Sequence, residues 1–104
     1  MQPLQVLVQT HGVWDENKLY VDYESSGQLI PQDCTFNDLV HIIMEEQQCN
    51  PETTKIQLRY QLKEGGQPIQ IKDEKSLMFY KTLLSKEADF TMYPLCMNVY
   101  RSTK

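Results

Sequence analysis

"TFNDLVHIIMEE", residues 35–46, decides how the rest of this chain is read. Phe36, Leu39, Val40, Ile43 and Met44 recur at three- and four-residue steps, so a helix gathers them into one apolar stripe. Asn37, Asp38, His41, Glu45 and Gln48 fall on the opposite side. Thr35 with Asp38 three residues on resembles a capping box, with Asp where Glu or Gln is usual. Asn50-Pro51 is expected to end the helix, because the residue before a proline disfavours helical backbone. One amphipathic helix needs a surface to lie on.

The flanking runs supply it. In "LQVLVQT" (4–10), Leu4, Val6 and Val8 alternate with Gln5, Leu7 and Gln9, the two-residue period of a half-buried strand. "KLYVDYE" (18–24) alternates again, with Leu19, Val21 and Tyr23 read as inward and Tyr20, Asp22 and Glu24 as outward. Turn residues lie between these runs, so the two read as an antiparallel hairpin. "SSGQLIPQD" reads as a loop whose Leu29 and Ile30 tuck under the helix. Beyond the helix, "TKIQLRYQL" (54–62) points Ile56, Leu58 and Tyr60 inward and Lys55, Gln57 and Arg59 outward. Glu64-Gly65-Gly66-Gln67 reads as a turn, and "PIQI" (68–71) as a short strand whose leading proline suits a sheet edge. Asp73 can cap a second helix over "EKSLMFYKTLL". There Ser76, Leu77, Phe79, Tyr80, Leu83 and Leu84 share an arc of about 160°. "YPLCMNVY" (93–100) closes the series, with Leu95, Met97 and Val99 inward and Cys96, Asn98 and Tyr100 outward.

A length of 104 residues fits one domain, with an ordered core over roughly residues 3–100. Apolar and charged fractions of 40% and 23% suit a folded globule. No apolar run is long enough to span a membrane, and none resembles a signal peptide. The net charge of −4 offers no general attraction to nucleic-acid backbones, although a local basic patch can persist within an acidic whole. Cys34, Cys49 and Cys96 are odd in number and read as reduced thiols of an intracellular protein. Together with His11 and His41 they show neither zinc spacing nor a local nucleophile signature. No phosphate-binding glycine motif is present. The expectation is a non-catalytic chain without metal or cofactor.

Strand, strand, helix, strand, strand, helix, strand is an α+β order. One-sided strands need a single covering layer, and the first helix matches it. The expected fold is therefore a mixed four- to five-stranded sheet on one main helix, with the first and last strands side by side. That is the β-grasp, or ubiquitin-like, architecture. Over residues 4–100, this order together with "HGVWDENKLY" and "LRYQLKEGGQPIQIKDEKSL" resembles a Phox/Bem-type ubiquitin-like domain. More narrowly, it resembles the N-terminal version in plant Mutator-like transposases and their domesticated relatives. The resemblance implies a nuclear protein-interaction module that pairs front to back, a first-strand lysine meeting an acidic motif. Tyr60, Glu64, Gly65, Ile71, Asp73, Glu74 and Leu77 stand where that motif has its aromatic, acidic, glycine and apolar members. Leu62 and Lys63 stand where acids are expected, and the first strand offers His11 but no lysine, so both halves of the lock are weakened.

Two candidate partner surfaces follow. Glu64, Asp73 and Glu74 read either as a docking remnant or as turn solvation beside a capped helix start. Lys55, Arg59, Lys63 and Lys72 read either as a positive strip or as part of an ordinary mixed-charge surface. Trp14 reads as a binding anchor or, preferably, as a lid closing the end of the core. His41 reads as a surface residue. The expected activity is weak docking of a protein partner, homotypic or heterotypic, with a nucleic-acid role for the basic strip as the alternative. Neither a membrane nor a small-molecule substrate is expected.

Overall fold

The computed structural model describes residues 3–62, 67–89 and 91–101. Along the chain lie β1 (Leu4–Thr10), β2 (Val13–Trp14), β3 (Tyr20–Val21), β4 (Glu24–Ile30), α1 (Phe36–Glu46), β5 (Thr54–Tyr60), β6 (Ile69–Ile71), α2 (Glu74–Lys86) and β7 (Leu95–Arg101). Five strands form one mixed sheet in the order β4-β1-β7-β5-β6, and β2 and β3 form a separate two-stranded ribbon. β1 runs parallel to β7, Val8 opposite Leu95, whereas β1–β4, β5–β7 and β5–β6 are antiparallel. The molecule is thus an α+β fold with a central parallel pair. Among the described residues, no helix is long and apolar enough to cross a membrane.

Thr35 caps α1 by accepting from the Asp38 N–H at 3.1 Å, while the Asp38 carboxylate accepts from the Thr35 N–H at 3.0 Å. The reciprocal bonds satisfy donors that every helix start leaves open. Leu39 and Ile43 then meet Val6, Val8, Ile30, Leu58, Leu95 and Met97 in the core. From the other helix, Leu77, Tyr80 and Leu84 join the same cluster, so both helices cover one face of the sheet. α1 stops at Glu46, before the proline that was expected to end it. Gln48 adopts φ 57°, and the Cys49 N–H turns back to the Met44 carbonyl at 2.8 Å. This left-handed C-terminal closure ends the helix, and Asn50-Pro51 begins the turn after it.

The segment 18–30 departs most from expectation. Residues 25–30, read as loop, belong to β4, the sheet partner of β1. Of the predicted second strand over 18–24, Tyr20 and Val21 form the return arm of the small ribbon, Glu24 opens β4, and the facing is reversed. Tyr20 is buried, while Leu19 and Tyr23 are exposed. Hydrogen bonding explains the reversal. Tyr20 Oη donates to the Met97 carbonyl at 2.6 Å and accepts from the Gly12 N–H at 2.9 Å. Trp14 lies beside Tyr20, ring centroids 4.9 Å apart, and its indole N–H donates to Asn98 Oδ1 at 2.7 Å. The ribbon therefore folds over the sheet face opposite the helices, and so buries Cys96, which the alternation had placed outward. At the far end of β7, Val99 is exposed, contrary to its inward reading.

Three buried tyrosines separate packing from hydrogen bonding. Tyr60 packs on Tyr80 with ring centroids 4.7 Å apart, and Tyr80 Oη donates to the Tyr93 carbonyl at 2.8 Å. Tyr60 Oη is buried with no hydrogen-bond partner among the described residues. Removing an unpartnered hydroxyl takes away only a desolvation cost, whereas removing Tyr20 Oη orphans two backbone groups. Tyr60→Phe is expected to leave urea stability unchanged or raised by up to about 1 kcal/mol. Tyr20→Phe is expected to lower it by about 1–2 kcal/mol in the same measurement. Equal losses in the two variants would contradict the assignment of these hydroxyls.

Candidate functional site

β6 is three residues long and lies at a sheet edge, paired only with β5 among the described residues. Its far end is stitched to the start of α2. The Lys72 and Asp73 N–H groups donate to Ser76 Oγ at 2.9 and 3.1 Å, and the Asp73 carboxylate accepts from the Ser76 N–H at 2.9 Å. This holds α2 beside the open edge and leaves a cleft of about 470 Å³ lined by Tyr60, Ile69, Lys72, Asp73, Lys75, Ser76 and Phe79. Leu77, Tyr80 and Leu84 fill the inner side of α2. Met78 and Phe79 are left 67% and 57% exposed, so Phe79 leaves the core arc predicted for it.

The acidic candidates divide. Asp73 is the N-cap of α2. Both carboxylate oxygens of Glu74 accept from the Phe36 N–H, each at 3.0 Å, so a residue of α2 also caps the first turn of α1. Glu64, with the turn read around it, lies outside the described residues, Gln67 excepted. Hydrogen bonds hold the Asp73 carboxyl below its usual range, chiefly the Ser76 backbone and then its side chain. The Asp38 carboxyl is lowered in the same way by Thr35. A carboxyl whose pKa is depressed by folding stabilises fully above its unfolded pKa of about 3.9 and loses that contribution as pH falls through the folded value. Asp38→Asn with Asp73→Asn is therefore expected to flatten the decline of thermal stability below about pH 4. An unchanged acid limb in calorimetry would contradict this.

The basic candidates divide as well. Lys55 and Arg59 share the outer face of β5, where Arg59 Cζ lies 5.8 Å from the Trp14 ring centre. Arg59 lines a depression of about 320 Å³ with Trp14, Asp15, Lys18 and Gln70. Lys72 lines the β6–α2 cleft, on the side of the sheet to which Tyr60 and Ile69 turn. Lys63 lies outside the described residues. Arg59 and Lys72 therefore line separate depressions.

Burial pushes the Cys96 thiol up to about 12 and raises that of Cys34, so neither supplies thiolate readily. Among the described residues, no group of three His, Cys, Asp or Glu side chains is placed to hold a metal ion. The sequence reading missed Tyr20, Asn98 and the exposed Phe79, whereas Met78 lies outside the predicted arc and is exposed. Phe79 had a signal: neighbours on a helix are 100° apart, and Leu77 and Tyr80 already claim the core. Compared with known proteins, the chain matches no family model, no curated protein sequence and no solved structure.

Proposed function

We propose that this chain is a non-catalytic protein–protein interaction module on a ubiquitin-like β-grasp fold. Support for the fold comes from the parallel β1–β7 pair at the sheet centre, the α1 crossover from β4 to β5, and both helices on one face. The Phox/Bem-type resemblance, an N-terminal place in a larger transposase-like plant protein and a nuclear setting belong to the same proposal. One observation carries the docking reading: the β6–α2 cleft keeps a large aromatic, Phe79, at the surface beside a strand edge that no described strand pairs. Exposed aromatics next to free backbone groups are what partner chains bury. Arg59 and Lys72 lining separate depressions favours this over the nucleic-acid reading.

Selection of a random displayed peptide library on the domain tests the reading, with Phe79→Ser as counter-target. Peptides that enrich on the domain and release from Phe79→Ser are expected. If nothing enriches on the folded domain, the module reading fails.

A further inference from the structure

The charge around the cleft points to the kind of partner. Four charged residues in succession, Lys72, Asp73, Glu74 and Lys75, open α2, and formally they cancel. Their hydrogen bonds break that symmetry. Glu74 is turned to the Phe36 N–H and does not line the cleft. Asp73 lines it, but its carboxylate is held by the Ser76 N–H and Oγ at 2.9 and 2.8 Å. Lys72 and Lys75 line the cleft too and are in no ion pair among the described residues, where the one such pair joins His11 and Glu24. Two lysines thus line the cleft with one carboxylate, whose charge both lysines feel, beside Ile69 and Phe79. The edge above them, β6, has its outer backbone groups unpaired by any described strand.

We infer that the β6–α2 cleft binds an extended acidic peptide segment carrying one bulky apolar side chain. The backbone of the segment adds to the β6 edge, its apolar group covers Phe79 and Ile69, and its carboxylates meet Lys72 and Lys75. Because β6 is only three residues long, backbone pairing alone is weak and the side chains set the choice of partner. The opposite edge, β4, is longer and has exposed Leu29, but no lysine or arginine occurs in it to select a partner by charge. This inference rests on the interaction-module reading and narrows it to a partner class.

The test is fluorescence anisotropy of the intact chain with a short synthetic peptide of central phenylalanine flanked by aspartates. A lysine-for-aspartate counterpart is titrated in parallel. The aspartate peptide is expected to bind at least about tenfold tighter, and high salt should erase most of the difference. Lys72→Glu with Lys75→Glu should weaken the aspartate peptide about tenfold or more and leave the melting curve in place, since both side chains are exposed. Phe79→Ser should weaken both peptides. Equal affinity for the two peptides, or amide shifts on β4 rather than β6 and α2, overturns the inference. Library peptides that still require Phe79 would then leave the broader module reading standing.

Discussion

Leu39→Ala is expected to remove about 3 kcal/mol of stability, the largest loss foreseen for any single substitution considered. Leu39 is fully buried and lies in the one cluster joining α1, α2 and the inner face of the sheet. The cost has two parts: the transfer energy of the deleted carbons, and a cavity that α1 cannot close because Thr35 and Glu74 hold its first turn. Urea unfolding followed by far-ultraviolet dichroism measures it. A loss below about 1 kcal/mol would mean that the stripe beginning at Phe36 does not face the core.

The second large effect is on the opposite face. A methyl group at Gly12 would sit 2.7 Å from the Val21 carbonyl oxygen and 2.8 Å from Tyr20 Cε2 and Cζ. The first obstacle is backbone and the second is a ring held at both Met97 and Gly12, so neither yields without moving the ribbon. Gly12→Ala is expected to cost about 2 kcal/mol or more. It should also release Trp14 from Asn98 and Tyr20, shifting its emission to the red. A stability loss with unchanged Trp14 emission would show that the ribbon is not what the methyl group displaces. Stability and emission both unchanged would place Gly12 away from Tyr20.

The sequence was legible where one side of an element alone is buried. α1 announces itself because Leu39, Ile43 and Met44 are buried while Asn37, Asp38, His41 and Glu45 are exposed. β5 is legible for the same reason, through Leu58 and Tyr60, and β1 through the apolar Val6 and Val8, although Gln9 and Thr10 beyond them are buried too. β4 was not, because Ser26 and Gln28 share its inner side with Ile30, so its alternating burial leaves no apolar alternation in the sequence. The ribbon was misread because its facing depends on one hydroxyl reaching Met97, a residue far along the chain. Cys96 was misread because the ribbon covers the second face of β7, which no local pattern records. At the candidate site, the capping role of Asp73 followed from its place before a helix. The bond from Phe36 to Glu74 did not, since it joins two helix starts that meet only in the fold. The cleft itself arises from an open edge meeting a helix, and neither alone predicts it.

Everything proposed for the cleft depends on β7 lying between β1 and β5, since that order is what leaves β6 at the edge. Cross-strand proton contacts by nuclear magnetic resonance test it most directly. The account predicts backbone contacts between Val8 and Leu95 in parallel register and between Arg59 and Cys96 in antiparallel register. Contacts joining β1 directly to β5, or β6 to any strand besides β5, would contradict it.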